Sequence, residues 1–553
     1  MESGKLESYR LTDLFSLLIF FGLVIIIDIS DIIYFFQTAQ YQLMLWTPLK
    51  LLFLFLAPLP IVKNKIRIYS VILAILAIIG IYACFPVIYF KTRIGESIIT
   101  LIWHTNFQEA WELTRGYIVR IAIITLFSIL FLILLIRKLP KRIPKTKSYI
   151  ISLSSIAFLA FYPVVSSSNN QTYPYRLSQS IGECFPFYTI SNLYKFLGYQ
   201  KYIKNYDTEV KGFKFNAVKK DTLKQREVVI LIIGESSRYD HWGLNGYGRN
   251  TSPKLDVQPN LLTFTNVSAA GAITEMSVPI IITRATPDDY LEHTQQKSII
   301  SLFREAGFDT YWITNQDDNG NIYIHEKEAG KVIRLLAPYN ATTNQYRDMK
   351  LVDTLKEILS ENRNNLFIVL HTMGSHWDYR IRYTSQFELF RPTGKGKFLS
   401  FWPINKVKFI NSYDNTILYT DCVIDSVIQL CNKYSKISSV VYLSDHGENL
   451  FDDSRNYIFH AAANISKYTA HIPLFIYTSP LFDSLYPQKI KALDSHKTSK
   501  ISGSDIFDTM ADLGNISYSK QDLTRSIASP RFIESQQKIC LTPSKSIKYS
   551  ALH

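Results

Sequence analysis

Cysteine is scarce in this sequence of 553 residues. The chain has five cysteines, and no two of them stand in a CxxC arrangement. That absence excludes a thioredoxin-like redox motif and a cysteine-based zinc site, and it leaves too few thiols for a multi-disulfide framework. A bridge between Cys422 and Cys431 stays open as an alternative, but we expect isolated buried thiols.

Charged residues are also few, at 19%, whereas hydrophobic residues reach 47%. This balance is unusual for a fully soluble protein, and the length indicates two or more domains. The formal net charge is +14, and many of the basic residues flank apolar segments. Attraction to anionic lipid headgroups explains that placement better than nucleic-acid binding does. We therefore expect membrane lipids as partners and no nucleic acid.

Long apolar stretches occupy the first third of the chain. Each approaches the roughly 20 residues that a membrane-spanning helix needs. The first is long and further stretches follow it, which disfavours a cleavable signal peptide. The sequence therefore predicts a transmembrane domain of five helices over residues 1–168. The predicted spans are about Leu14–Phe35, Leu43–Val62, Tyr69–Tyr89, Tyr117–Ile136 and Tyr149–Val165.

Basic residues between these stretches set the predicted orientation. Lys63, Lys65 and Arg67 lie between the second and third stretches, and a second basic cluster at residues 137–147 lies between the fourth and fifth. Loops rich in Lys and Arg stay on the cytoplasmic side of a membrane. Five spans from a cytoplasmic N-terminus place everything after residue 168 outside. Residues 169–222 are predicted to form an amphipathic bridge on the membrane surface, or a plain linker.

The last two thirds of the chain, residues 223–553, alternate short apolar runs with helical patterns. This alternation favours an α/β domain in which helices cover both faces of a mostly parallel sheet. The predicted strands are Val228–Ile233, Asp309–Ile313, Leu366–Leu370, Val440–Leu443 and Ile472–Tyr477, and the predicted helices are Ser298–Ala306, Met349–Ser360, Asn415–Asn432 and Ser504–Leu513.

Polar residues follow three of the predicted strands at the point where each strand ends. Glu235 ends the first run, His371–His376 follows a later strand, and Asp445 with His446 ends a third. Parallel sheets bind their ligands beyond the carboxyl ends of the strands. We therefore expect these three segments, which are far apart in sequence, to meet at one edge of the sheet.

Two carboxylates and an imidazole at such an edge indicate a metal site. Zinc held by Glu235, Asp445 and His446 can lower the pKa of a bound hydroxyl group and polarise a P–O bond. Thr274 stands just before a helix-like stretch and completes the set as a metal-bound alkoxide. The N-terminus of a helix would favour that anion and a phosphate group. Taken singly, each of these residues also has a plain structural interpretation, such as a helix N-cap for Thr274.

Three further histidines stand near predicted strand ends. His376 ends a Gly-Ser-His motif, His460 follows an aromatic and apolar run, and His471 precedes a strand. They are candidates to bind a second metal ion or the phosphate of a substrate. For His471 a structural hydrogen bond is an equally good interpretation.

Taken together, these motifs resemble the phosphoethanolamine transferases of the Gram-negative inner membrane, members of the alkaline phosphatase and sulfatase superfamily. The resemblance covers nearly the whole chain. The segments that carry it are residues 234–253, 274–279, 374–376, 413–421 and 444–448. Residues 306–316 are more similar to the branch that modifies lipopolysaccharide core sugars than to the lipid A branch.

The resemblance implies a two-step transfer. Thr274 would attack phosphatidylethanolamine, keep phosphoethanolamine on its hydroxyl oxygen and release diacylglycerol. The hydroxyl group of a lipopolysaccharide, or of another envelope glycan or lipid, would then accept the group. The resemblance also implies one tightly bound zinc ion, with a second as an open alternative, His376 and His460 at substrate or second-metal positions, and a monomer with its catalytic domain in the periplasm.

Three other functions compete with this interpretation. A sulfatase would need a Cys/Ser-x-Pro-x-Arg motif, which Ser277-Val-Pro279 imitates in part, but Ile281 stands where the arginine should be. A lipoteichoic-acid-type glycerol-phosphate transferase shares the threonine and the span count, but the segments at Asn245 and at Tyr413 favour the ethanolamine branch. An inactive membrane scaffold is disfavoured by the intact set of candidate ligands.

Overall fold

The computed structural model describes residues 2–105, 107–139, 141–165, 172–221, 223, 225–317, 320–335, 347–362, 364–461 and 464–553. Its contacts define two compact units. The helical unit comprises Met1–Trp103 and Thr114–Leu197, and the sheet unit comprises His104–Leu113 and Gly198–His553. The predicted domain boundaries at residues 168 and 222 fall outside the described residues.

Helices make up the first two hundred residues. They are α1 Glu2–Gln37, α2 Tyr41–Leu56, α3 Leu59–Val62, α4 Ile66–Phe90, α5 Glu96–His104, α6 Phe107–Thr114, α7 Ile118–Lys138, α8 Lys145–Val165, α9 Tyr173–Gly182 and α10 Phe187–Glu209.

Four segments of these helices are long and apolar enough to cross a membrane: Leu18–Gln37, Ile66–Phe90, Ile118–Lys138 and Lys145–Val164. They coincide with the first, third, fourth and fifth predicted spans. The second predicted span differs, because α2 has 16 residues and the chain turns before α3. Pro58 and Pro60 lie at that break, and proline supplies no backbone N–H to continue a helix.

Inside the helical unit, α1 and α4 approach each other closely. A Cβ atom at Gly80 would lie 2.4 Å from the carbonyl oxygen of Ile27, so only glycine allows this contact. Other side chains of the unit are apolar and face outward, and Phe127 on α7 is 67% exposed. Small residues between helices and apolar residues outside are typical of helices in a lipid environment.

The sheet unit is built on a seven-stranded sheet. Its strands are β1 Glu227–Gly234, β2 Leu261–Phe264, β3 Asp309–Thr314, β4 Lys331–Arg334, β5 Leu366–His371, β6 Ile437–Ser444 and β7 Leu474–Thr478. Their order is β2-β7-β6-β1-β5-β3-β4. The pairs β6–β1, β1–β5, β5–β3 and β3–β4 are parallel, and β7 runs antiparallel to β6 and β2. The predicted mostly parallel sheet is confirmed.

Every residue of β1, β5 and β6 is buried. These strands have near-continuous apolar sequences, as parallel strands covered on both faces do, and this made them predictable. The strands β2 and β4 at the two edges of the sheet were not predicted. Each has only four residues, and most of those are half-buried or exposed, so their sequences show no strong apolar run.

Helices and short strand pairs complete the sheet unit. The helices are α11 Thr274–Ile282, α12 Ile299–Glu305, α13 Gly320–Glu326, α14 Met349–Glu361, α15 Lys406–Tyr434, α16 Lys467–Ala470, α17 Pro480–Leu485, α18 Pro487–Ser495 and α19 Ile506–Leu513. The short pairs are Val218–Lys219 with Ile516–Ser517, Val267–Ser268 with Ile501–Ser502, Asn449–Leu450 with Ile458–Phe459, and Lys538–Thr542 with Lys545–Lys548. All five cysteines are free thiols, as the sequence predicts.

Candidate functional site

The predicted convergence of strand ends is present at the carboxyl edge of β1, β5 and β6. Glu235 directly follows β1, and Asp445 with His446 directly follows β6. The strands are parallel neighbours, so their ends lie side by side. The backbone N–H of Asp445 donates to the carbonyl of Gly234 over 3.0 Å, which fixes the two segments against each other.

The loop after β5 closes over Glu235. Gly374 in this loop has a φ of +42°, and a Cβ atom there would lie 2.9 Å from the carbonyl oxygen of Glu235. Glycine is therefore required both by the backbone conformation and by the available space. The buried carboxylate of Asp348 fixes the same loop, because it accepts the N–H groups of Met373 and Gly374 over 2.9 and 2.8 Å.

Thr274 is the first residue of α11, as the sequence predicts for a residue at a helix N-terminus. Its Oγ1 lies 3.1 Å from Glu235 Oε2 and 3.2 Å from His446 Nε2. The hydroxyl group of Ser277, one turn further along α11, donates to the carbonyl of Asp445 over 2.6 Å. The helix that carries Thr274 is thus attached directly to the loop after β6.

Asp445 completes this group but uses only one of its carboxylate oxygens. Its Oδ1 accepts the backbone N–H groups of Ser236 and His446 over 3.1 and 2.7 Å. Its Oδ2 is buried and accepts no hydrogen bond from the described residues, although His446 Nε2 lies 3.3 Å away. A buried carboxylate oxygen without a donor is costly, so this atom faces a place where a cation is favourable.

Burial and mutual repulsion control ionisation in the group. Burial and the neighbouring charge of Glu235 raise the pKa of Asp445 to about 8. Burial also acts on Glu235, but His446 and His376 outweigh it, so the pKa of Glu235 lies well below its usual range. Burial disfavours the charged form of His446, but Asp445 and Glu235 raise its pKa. The raised pKa favours the protonated form of Asp445 at neutral pH, whereas Glu235 stays ionised.

His460 lies against the same group. Its ring is 3.9 Å from that of His446, centroid to centroid, and its Nδ1 lies 3.3 Å from Glu448 Oε1. Glu448 is itself buried and accepts a hydrogen bond from the Tyr379 hydroxyl over 3.1 Å. Burial raises the pKa of Glu448 to about 8. This contact with Glu448 orients the His460 imidazole toward the other site residues.

His376 is close enough to Glu235 to lower the pKa of that carboxyl group. Its Nδ1 donates to the carbonyl of Trp377 over 2.7 Å. Arg382 holds the same turn, because its Nε donates to the carbonyl of His376 and its Nη2 to the carboxylate of Glu112, over 2.9 and 2.8 Å.

His471 is placed differently from the other predicted residues. Its Nε2 contacts the carbonyl of Thr265 at 3.0 Å, and its ring stacks on Tyr239 with centroids 4.2 Å apart. None of the hydrogen bonds or ring contacts within the described residues joins His471 to Thr274, Glu235 or His446. Its surroundings correspond to the structural hydrogen bond that the sequence left open.

Sequence reasoning did not identify Gln316 or the role of Glu448. Gln316 Nε2 donates to Glu235 Oε2 over 3.1 Å and to the carbonyl of Thr372 over 2.8 Å, so it orients the carboxylate. Gln316 follows β3, two strands away from β1 in the sheet. The available signal was its position just after a predicted strand, the same signal that marks Glu235 and Asp445.

These residues fit a divalent metal ion. One atom each from Glu235, His446 and His460 lies within 4.8 Å of the others, a spacing that allows them to hold one ion. The unused oxygen of Asp445 and the hydroxyl of Thr274 adjoin this group. Carboxylate oxygens and imidazole nitrogens in a small closed set are the ligands that zinc prefers.

The profile of the sulfatase family matches residues 227–516, more than half of the chain. The chain belongs to the sulfatase family. The match begins at the first residue of β1 and includes Thr274 and the ends of β5 and β6. Ser277, the position that imitates a sulfatase nucleophile, is fully buried and donates to the carbonyl of Asp445.

The homologues of this chain are phosphoethanolamine transferases. It is 26% identical to the phosphoethanolamine transferase EptC of Escherichia coli over 88% of this chain and 86% of that protein. The periplasmic domain of E. coli EptC, crystallised in complex with zinc, is 25% identical with a TM-score of 0.54, covering 61% of this chain and 96% of that one. The integral membrane EptA of Neisseria meningitidis shares the fold over 92% of this chain and 97% of its own, with a TM-score of 0.71 and 23% identity.

Proposed function

We propose that this protein is a membrane-bound transferase that moves phosphoethanolamine from phosphatidylethanolamine to an envelope acceptor, with Thr274 as the nucleophile. The observation that carries the proposal is the position of the Thr274 hydroxyl group. It lies at the N-terminus of α11, within 3.2 Å of both Glu235 and His446. The N–H groups at a helix N-terminus favour both an alkoxide and the oxygens of a phosphate group.

The reaction has two balanced steps. In the first, Thr274 Oγ1 loses its proton to solvent and forms a bond to phosphorus, while the P–O bond to diacylglycerol breaks and that oxygen takes up a proton. In the second, an acceptor hydroxyl group loses its proton and attacks the same phosphorus, and Thr274 Oγ1 leaves and is protonated again. Covalent catalysis of this kind divides one difficult displacement into two easier ones.

The residues around Thr274 would hold a zinc ion through Glu235, Asp445, His446 and the threonine oxygen itself. When bound, zinc lowers the pKa of a nearby hydroxyl group and neutralises charge on phosphoryl oxygens. Gln316 and the loop at Gly374 keep Glu235 in place. His460 and His376, next to this set, would bind the phosphate of the substrate or a second ion.

The membrane setting of this reaction is also part of the proposal. Apolar helices that can cross a membrane suit a lipid donor. The basic clusters at residues 63–67 and 137–147 favour a cytoplasmic N-terminus and a periplasmic catalytic domain over residues 223–553, after a transmembrane domain at 1–168 and a bridge at 169–222. The acceptor would be lipopolysaccharide or another envelope glycan or lipid, and the protein would act as a monomer.

The donor half of the reaction gives a direct test. Purified full-length protein is incubated in detergent with fluorescent phosphatidylethanolamine, and labelled diacylglycerol is measured together with the intact mass of the protein. We expect diacylglycerol release, one added phosphoethanolamine group on the protein, and loss of both after treatment with a zinc chelator.

Thr274→Ala is the decisive variant, and Thr265→Ala, at an exposed threonine of the same unit, is its matched control. The proposal requires that the first lose the mass adduct and the second keep it. Diacylglycerol release that continues in Thr274→Ala would refute the proposed nucleophile.

A further inference from the structure

A proline inside α11 changes the hydrogen bonding of the turn that carries Thr274. In an α-helix the N–H group of residue 279 would donate to the carbonyl of residue 275. Pro279 has no N–H group, so it cannot make that bond to Glu275. The carbonyl of Glu275, in the first turn of α11, therefore cannot receive its usual hydrogen bond from residue 279.

Tyr290 supplies such a donor. Its hydroxyl group donates to the carbonyl of Glu275 over 2.7 Å, and Asn321 Nδ2 makes a longer contact of 3.4 Å with the same oxygen. Tyr290 lies in a short 3-10 helix, Tyr290–Thr294, and is 1% exposed. A buried side chain from another segment thus takes the place of the missing backbone donor next to Thr274.

Tyr290 is the end of a longer buried chain of hydrogen bonds. Its hydroxyl lies 3.1 Å from that of Tyr199, which lies 3.1 Å from His293 Nε2. His293 Nδ1 lies 3.1 Å from His325 Nε2, and His325 Nδ1 lies 3.1 Å from Glu328 Oε1. We call these five residues, from Glu328 to Tyr290, the tyrosine–histidine chain.

The carbonyl of Glu275 can only accept, so it fixes the direction of the bonds that lead to it. The Tyr290 hydroxyl donates to that carbonyl and therefore accepts from Tyr199. Tyr199 in turn accepts from His293 Nε2, and His293 Nδ1 accepts from His325 Nε2. Glu328 also accepts from the hydroxyl groups of Tyr206 and Ser301 over 2.5 and 2.6 Å, which favours its ionised form.

His325 Nδ1, at the start of the series, contacts Glu328 Oε1 at 3.1 Å and the Tyr206 hydroxyl at 3.2 Å. Four bonds are thus aligned from His325 to the carbonyl of Glu275, and bonds aligned in one direction polarise one another. Consistently, burial and the neighbouring His325 keep the pKa of His293 well below its usual value, so that imidazole stays neutral.

We propose that the tyrosine–histidine chain is a positioning device for the nucleophile: it holds the first turn of α11 through the Glu275 carbonyl and so sets the position of the Thr274 oxygen. Tyr290 is its positioning residue, and it acts through Glu275 and not on the substrate. The inference rests on the proposed function, because it needs Thr274 to be the reacting group. Small displacements of a reacting atom cost up to about 100-fold in rate.

Tyr290→Phe removes the terminal hydroxyl group and keeps the ring. In the fluorescent phosphatidylethanolamine assay with full-length protein, we expect kcat to fall by about 10- to 100-fold. KM and zinc content should change little, because no substrate or metal contact is lost, and the thermal midpoint should fall by only a few degrees, as expected for a lost buried hydrogen bond. The matched control is Tyr477→Phe, which removes the bond from another buried tyrosine to Asn432 and should keep the wild-type kcat.

A second variant tests the reason for the bond. Pro279→Ala restores an N–H group that can donate to the Glu275 carbonyl within the helix. In that background the hydroxyl group of Tyr290 becomes redundant, so adding Tyr290→Phe should lower kcat by no more than about threefold. If the role of Tyr290 were merely structural, Tyr290→Phe would lower kcat by the same factor in both backgrounds.

Each outcome decides the question. Wild-type protein that releases no diacylglycerol would refute the proposed function itself. If the wild-type protein is active and Tyr290→Phe has an unchanged kcat, the positioning role is overturned. A loss of kcat that merely parallels a loss of zinc or of thermal stability would also overturn it.

If Pro279→Ala does not fold, the comparison of kcat between Tyr290→Phe and Tyr477→Phe still decides. If Tyr290→Phe does not fold, Tyr199→Phe takes its place, with an expected kcat loss of about two- to fivefold whose absence would overturn the role.

Discussion

Two buried polar clusters in the sheet unit handle charge in opposite ways. The cluster around Thr274 places the carboxylates of Glu235 and Asp445 side by side and leaves Asp445 Oδ2 without a donor among the described residues. The tyrosine–histidine chain contains Glu328 as well, but the N–H and hydroxyl groups of Ser298 and the hydroxyl groups of Ser301 and Tyr206 donate to that carboxylate. The first cluster leaves a buried carboxylate oxygen without a donor, whereas the carboxylate of the second has several.

This difference supports the two proposals, that the first cluster binds a metal ion and that the second positions Thr274. Unsatisfied buried acceptors are costly, and they persist in a folded protein where a bound cation compensates for them. A buried network in which every donor and acceptor is paired is rigid. The variants below test whether the two clusters differ in this way.

The largest expected effect comes from the nucleophile. Thr274→Ala should lower transfer by about 1,000-fold or more, because no covalent intermediate can form. Thr274→Ser keeps a hydroxyl group and should retain a larger share of the activity. Diacylglycerol release and the mass adduct measure both effects, and equal activity in the two variants would contradict the assignment.

Zinc binding should depend strongly on pH in the Thr274 cluster. The pKa of Asp445 is raised to about 8, so below that pH a proton occupies the carboxyl group and competes with the metal. We expect the affinity of the metal-free protein for zinc to rise about tenfold for each pH unit up to about 8. Competition with a chelating dye between pH 6 and 8 measures this, and an affinity independent of pH would show that no proton on Asp445 competes with the metal.

Gln316→Leu should weaken the site without removing a ligand. It loses the hydrogen bond that orients Glu235, and such supporting contacts are worth about 10- to 100-fold in metal affinity or activity. Gln258→Leu is the matched control, because that amide donates to Asp425 on α15 over 3.2 Å. Zinc content and kcat/KM would be compared in both variants. Small and similar losses of zinc and of kcat/KM in both variants would show that Gln316 does not support the site.

The smallest expected effect comes from the middle of the tyrosine–histidine chain. Tyr199→Phe opens two links but leaves the bond from Tyr290 to Glu275 in place. We expect kcat to fall by about two- to fivefold and the free energy of unfolding to fall by about 1 kcal/mol. Donor-assay kinetics and denaturant unfolding measure these changes. A loss of zinc in this variant would contradict the separation of the two clusters.

Local sequence was sufficient where a pattern repeats within one element. The apolar run of β1 and the polar residues after it predicted both a buried parallel strand and the position of Glu235. The same reasoning located Asp445 and His446 after β6. It was insufficient for the second predicted span. There Pro58 and Pro60, just after α2, interrupt an apolar stretch that otherwise has the length of a span.

Residues that act through distant partners carried no such signal. His293 and His325 are 32 positions apart and contact each other only because the segment that ends at Thr294 packs against α13. The resemblance to phosphoethanolamine transferases added the role of Thr274, which its own neighbours in sequence leave open between a nucleophile and a helix cap.

By itself, the sequence determined the fold class, the apolar helices and the strand ends where chemistry was to be expected, because hydrophobic periodicity and strand direction are local properties of a chain. Only the tertiary structure decided that His460 lies beside Glu235 and His446 while His471 stays apart, and that Tyr290 replaces the donor which Pro279 lacks. Those outcomes depend on distances between segments far apart in the chain, and packing of the whole domain sets such distances.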